Sequence, residues 1–269
     1  MKESVTPAQG APSRTGARTR TLGARRQGGG GTRVAGTWSP LGDSTLASAA
    51  PSGGAASRIP RGVARAAPTP QSEGQAAFWD AMRTHSLTLA LGPAGTGKTY
   101  LAVSAAVEAL EGGRVDRIVL SRPAVTAGET LGFLPGDVQE KMAPYLRPLY
   151  DALVDRLGSL RLRRYLAEGV IEIAPVAYMR GRTLNNAFVI IDEAQNCTYT
   201  QLKMLLTRLG WRSLMVVAGD PDQSDLLGGV SGLNEVAGRL EGLSGVAVLR
   251  LTEGDVVRHP LVARMLEVL

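Results

Sequence analysis

Cysteine is nearly absent. Cys197 stands alone among 269 residues, so no intrachain disulfide can form, which fits a reducing compartment or simple absence of selection for cysteine. Aromatic residues make up only 4% of the chain, leaving few platforms on which single-stranded bases could stack. No apolar run approaches the ~18 residues a membrane-crossing helix needs. A secretory h-region is missing too. Acidic residues are almost lacking from the first seventy positions, where Glu3 and Asp43 face ten Lys and Arg. The remaining residues hold 20 basic and 22 acidic side chains, so the net charge of +6 belongs to the tail. Net charge therefore gives no argument that the rest of the chain binds nucleic acid.

Residues 1–70 are built from Gly, Ala, Ser, Thr, Pro and Arg with almost no large apolar side chains. Such a segment cannot offset its ordering entropy and reads as a disordered Arg/Gly/Ala-rich tail. It fits a solvated extension or an over-long predicted start, an Arg-rich arm on nucleic acid, or, being Arg-rich and poor in acids, an organelle transit peptide. The Gly28–Gly31 run and the prolines argue against the amphipathic helix of a transit peptide.

What the sequence does have is concentrated between Leu87 and Leu110. Leu87–Leu91 reads as a short buried strand, and an apolar helix begins at Lys98. Between them Gly92-Pro93-Ala94-Gly95-Thr96-Gly97-Lys98-Thr99 satisfies G-x-x-x-x-G-K-[ST] in full. Glycines there let backbone N–H groups turn inward around phosphate oxygens, and the helix N-terminus adds its positive end. Lys98 is suited to the β- and γ-phosphates of ATP and Thr99 to Mg2+.

Downstream, Ala187–Ile191 is a continuous apolar strand closed by Asp192-Glu193, 93 positions after Thr99. That order suits a second half of a hydrolysis site, with Asp192 holding Mg2+ through water and Glu193 as general base. Leu214–Ala218 is a further buried strand, and Gln223 just beyond it can reach the γ-phosphate or its water. Gln75, 17 positions before Gly92, opens a predicted helix ending near Met82. It is suited either to reading adenine by paired hydrogen bonds or to an exposed helix start.

Helices are also expected over 98–110, 139–157 (with Pro144 and Pro148 breaking its regularity), 160–167, 200–209 and 231–240. Strands are expected over 117–121, 170–174 and 246–251, and Thr130–Gly136 reads as a loop. Strands alternating with helices imply an α/β fold with a parallel, helix-covered sheet. Near the end, Arg258 precedes His259-Pro260 and an apolar helix. A cation at a helix N-terminus is disfavoured by about 0.3–1 kcal/mol. Its counter-charge is either Glu253 or Asp255, or a nucleotide phosphate of this subunit or a neighbour.

Several runs together carry a resemblance. They are Arg122-Pro123-Ala124-Val125, Leu131-Gly132-Phe133-Leu134-Pro135-Gly136-Asp137 and Tyr145-Leu146-Arg147-Pro148-Leu149-Tyr150. Tyr178-Met179-Arg180-Gly181-Arg182-Thr183, Asp192-Glu193-Ala194-Gln195-Asn196, Gly219-Asp220 with Gln223, and Val256-Val257-Arg258-His259-Pro260 complete the set. Over residues 72–269 the chain resembles the PhoH family of cytoplasmic ATPases. The resemblance implies a RecA-like P-loop domain over 71–269, related to superfamily 1 helicases, with ATP and Mg2+ as cofactors and a link to RNA metabolism. It makes 92–99 the Walker A motif, Asp192 and Glu193 the Walker B acids, Gln223 the sensor and Arg258 a candidate arginine finger. Residues 1–70 resemble neither the KH-like nor the PIN domain that many relatives carry.

About 200 foldable residues suffice for one RecA-like domain. A finger, worth about 10³–10⁵ in rate, must then come from another copy, so a homo-oligomer such as a hexameric ring is expected, with Arg258 or Arg122 reaching a neighbour. Arg122, Arg180 and Arg182 are the candidates for RNA or single-stranded nucleic acid. For Arg180 and Arg182 a solvated loop or an ion pair with Glu172 is the competing reading. The leading function is ATP hydrolysis coupled to nucleic-acid remodelling. A nucleotide-dependent switch that recruits a protein is the alternative, and a small-molecule kinase the third reading.

Overall fold

The computed structural model describes residues 67–123, 138–226, 231–257, 261 and 265. The tail through residue 66, the 130–136 loop and the terminal segment with Arg258 lie outside these residues. In order, the elements are α1 (Glu73–Thr84), β1 (Leu87–Leu91), α2 (Lys98–Glu111), β2 (Arg117–Arg122), α3 (Val138–Leu157) and α4 (Ser159–Ala167). There follow β3 (Ile171–Pro175), β4 (Ala187–Ile191), α5 (Tyr199–Leu206), β5 (Leu214–Gly219), α6 (Leu233–Leu240) and β6 (Val246–Arg250).

All strand pairs are parallel, in the order β3-β2-β4-β5-β1-β6. Parallel sheets need cover on both faces, which is why β1 and β4 are buried at every position. Side chains alternate between two cores, as the strand period of two requires. Ala90, Ile118, Leu120, Phe188, Ile190 and Val216 pack with α1, α2, α3 and α4. Leu89, Val119, Val189, Ile191, Met215 and Val217 pack on the other face with α5 and α6. This is the RecA-like P-loop arrangement expected from the sequence. No described helix is long and apolar enough to cross a membrane.

The differences from expectation are local. α3 runs without a break through Pro144 and Pro148. Each proline costs about 3 kcal/mol in a helix interior. Leu146, Leu149, Tyr150, Leu153 and Leu157 are all buried along that helix, at roughly 1.5–3 kcal/mol each for the large aliphatic ones. Burial of this face outweighs the prolines. α5 stops at Leu206 rather than Leu209, because Leu209 leaves the helix to bridge Leu184. β2 extends one residue beyond Ser121, so Arg122 still pairs, with Pro175.

Candidate functional site

Because the sheet is parallel, the C-terminal ends of β1, β4 and β5 open onto one edge, where ligands bind in such folds. A cleft of about 320 Å³ lies there, lined among others by Gly95, Lys98, Thr99, Asp192, Glu193 and Gln223. The loop after β1 turns on glycines with positive φ: Gly92 (146°), Gly95 (88°) and Gly97 (80°). Gly92 has a second reason to lack a side chain, since a Cβ would run into the Leu251 backbone carbonyl.

One hydrogen bond joins the halves of the site. Thr99 Oγ1 donates to Asp192 Oδ1 at 2.7 Å across 93 residues of chain. Lys98 Nζ donates to the carbonyls of Gly92 (2.6 Å) and Pro93 (2.7 Å) and to Thr96 Oγ1 (3.3 Å). Burial pushes the Lys98 pKa down, opposed by the carboxylates of Asp220, Glu193 and Asp192. Burial pushes the Asp192 carboxyl up, opposed by the Thr99 hydroxyl and the Arg122 guanidinium.

Among the described residues no group of three or more His, Cys, Asp or Glu could hold an ion unaided. A hydroxyl and one carboxylate side by side suit Mg2+, which takes few protein ligands and completes its shell with phosphates and water. The hard-oxygen donors of Thr99 and Asp192 therefore fit the ion expected here.

Glu193 adopts a left-handed backbone (φ 53°), a conformation that costs a non-glycine residue about 1–3 kcal/mol. Its side chain is pinned from two sides. Gln195 Nε2 donates to Glu193 Oε2 at 2.6 Å, and Arg122 approaches Oε1 at 3.3 Å. Arg122 also lies 3.4 Å from Asp192 Oδ2. Its guanidinium thus turns inward onto its own acid pair.

Gln223 lines the cleft from the segment after β5. Gln75 corrects one of its two readings, for it is buried, not exposed. Its Nε2 donates to the Thr96 carbonyl at 3.1 Å and its Oε1 accepts from Gln71 N–H, so its amide braces the phosphate loop. Arg182 makes the anticipated bidentate ion pair with Glu172, at 2.6 and 2.7 Å, which removes it from the free cations. Arg180 is exposed beside Tyr178, itself 57% exposed. Arg258 lies outside the described residues.

Sequence reasoning missed three supports. The Val257 N–H donates to the Gly95 carbonyl at 3.0 Å, a backbone contact with no side-chain signature. Asp220 is buried at the end of β5 and bends its own loop by accepting from Asp222 N–H. Gln195, buried at 3% exposure, touches both the acid pair and that loop. Its only signal was its place in the Asp192-Glu193-Ala194-Gln195-Asn196 run, two positions after Glu193.

Residues 68–269 match the family model described as "PhoH-like protein". A PhoH-like protein of Bacillus subtilis (strain 168) is 57% identical over 195 residues, which is 72% of this chain and 61% of that protein. Protein PhoH of Escherichia coli (strain K12) is 48% identical over 199 residues, covering 73% of this chain and 56% of the relative. The chain thus spans about three fifths of the length of these relatives. Among solved structures, the large terminase of a thermophilic bacteriophage superposes with a TM-score of 0.47 at 12% identity, over 74% of this chain and 50% of that one.

Proposed function

Since the chain belongs to the PhoH-like protein family, we propose that it is a Mg2+-dependent ATPase that acts on RNA or another single-stranded nucleic acid as a homo-oligomer. The observation that carries the ATPase reading is the Thr99–Asp192 hydrogen bond. It brings the phosphate loop and the acid pair to one cleft with Lys98, Glu193 and Gln223.

Lys98 offers a half-buried positive charge to the terminal phosphates, and the backbone N–H groups of 94–99 cradle them. Mg2+, held by Thr99 and Asp192, would neutralise phosphate charge. Glu193 orients and deprotonates the attacking water, with Gln223 opposite to register the γ-phosphate. Tyr178 and Arg180, exposed on the turn after β3, supply a ring and a cation of the kind that bind single strands. A neighbour's Arg258 is the proposed arginine finger.

A second reading is favoured by the Arg122 ion pairs. A guanidinium clamped on both acids suits a slow nucleotide switch that recruits a protein. ATP turnover with and without single-stranded RNA and DNA, run beside Glu193→Gln, separates the two. Stimulation by a single strand supports the first reading, and slow turnover indifferent to nucleic acid supports the switch. Mass in solution with an ATP analogue and Mg2+ tests the assembly; a strict monomer with normal turnover would refute the finger from a neighbour.

A further inference from the structure

The general base of a hydrolysis site must be held still, yet its carboxylate must keep one oxygen for water. At Glu193 these demands meet a buried amide. Gln195 lies in the 3₁₀ turn Ala194–Asn196 that follows the acids. Its Nε2 donates to Glu193 Oε2 at 2.6 Å, while its Oε1 accepts the Asp220 N–H at 3.1 Å. One side chain thus spans β4 and β5. Two further bonds join the same turn to the same loop: Ser224 Oγ donates to the Gln195 carbonyl at 3.3 Å, and Asp225 N–H donates to Asn196 Oδ1 at 2.9 Å. Gln223 sits inside the loop so held.

The space for this amide is built into the strand beside it. Gly219 ends β5, and a Cβ there would lie 2.7 Å from Gln195 Oε1 and 3.0 Å from the Gln195 backbone nitrogen. Only a residue without a side chain leaves room for the bridge.

The geometry points to Gln195 as a positioning residue that fixes the Glu193 carboxylate and couples it to the Asp220–Asp225 loop. Nε2 occupies Oε2 and leaves Oε1 as the water-facing oxygen once Arg122 withdraws. Movement of the Gln223 loop at a γ-phosphate is carried through the Asp220 N–H and the Gln195 amide to the base. The inference rests on the ATPase reading of the site and names how that site is switched into its productive geometry.

Gln195→Glu separates the two ends of the amide. Its carboxylate still accepts from Asp220 N–H but no longer donates to Glu193. The expected result is a fall in kcat of about 10- to 100-fold, the scale of a misplaced catalytic group. KM for ATP and the affinity for a fluorescent ATP analogue should change by less than about 3-fold, since ground-state binding is untouched. Gly219→Ala should show the same split, by displacing the amide without altering its chemistry. A Gln195→Glu kcat equal to wild type, or a loss borne by KM instead, overturns the inference. A wild-type chain that turns over no faster than Glu193→Gln removes the ATPase reading and the inference together. A wild type that turns over beside an unaffected Gln195→Glu removes the inference alone.

Discussion

Replacing Arg122 with alanine should destabilise the chain in the absence of Mg2+ and make its stability more responsive to that ion. The guanidinium stands 3.4 Å from Asp192 Oδ2 and 3.3 Å from Glu193 Oε1, so three charges sum to −1. Without it the acid pair carries −2, and the Asp192 side chain is only 3% exposed. Unpairing a fully buried ion costs about 3–5 kcal/mol. Glu193 is 36% exposed and Arg122 18%, so water screens part of the loss, and roughly 1–3 kcal/mol is expected. At about 2–4 °C per kcal/mol for a domain of this size, Tm in EDTA should fall by roughly 2–12 °C. A divalent cation is drawn to −2 more strongly than to −1, so MgCl2 should raise Tm more in the variant than in wild type. Arg122→Lys should fall between the two, because one ammonium cannot span both acids as a planar fork does. Circular dichroism melts at matched ionic strength measure all three proteins. Equal melting of variant and wild type in EDTA, or an equal Mg2+ increment in both, would refute the reasoning.

Three other outcomes are expected. The Glu172 pKa is depressed, chiefly by its hydrogen bond from Arg182, so the pair's contribution is present above about pH 4.3 and is lost as pH falls through the lowered value. Both side chains are about one third exposed, so Arg182→Ala should cost only about 0.2–1 kcal/mol at neutral pH and flatten the acid limb of stability in urea titrations. Asp255→Ala removes acceptors for Thr252 N–H (2.8 Å) and Gly74 N–H (3.2 Å), freeing the start of the helix whose Gln75 braces the phosphate loop. A loss of about 1–2 kcal/mol by urea unfolding is expected, with a raised KM for ATP and an unchanged kcat. Burial pushes the Cys197 thiol up to about 12, so iodoacetamide labelling near neutral pH, followed by mass spectrometry, should proceed at the rate of unfolding.

The parts of the fold that were legible are those written in contiguous residues. β1 and β4 are five-residue apolar runs buried along their whole length, and Gly92–Thr99 has its fixed positions in one stretch. Strand order was not legible, because β1 lies between β5 and β6, and no local pattern names a distant neighbour. The inward turn of Arg122 depends on β2 lying beside β4, a consequence of that order. The role of Gln195 was hidden for a related reason: its space is left by Gly219, which ends β5, and its partner Asp220 N–H opens the loop after it, both distant in sequence. In α3 the local signal was plain and lost to packing, since Pro144 and Pro148 mark a break that the buried leucines override.

The position of β1 also bears on how the protein comes into being. Leu87 is paired in register with Met215 and Val246, and β2, the next strand made, is not its neighbour. A ribosome adding about 5–20 residues per second finishes β1 on the order of ten seconds before either partner exists. Through that interval a strand of Leu, Thr and Ala stands without a ladder, a stretch that chaperones and wrong partners can meet. A nascent chain halted before Leu214 holds the phosphate-loop residues and both acids in its sequence, yet the strands that would flank β1 have not been made. The two strands that flank the phosphate loop's own strand are therefore in place only after β5 and β6 have both been made.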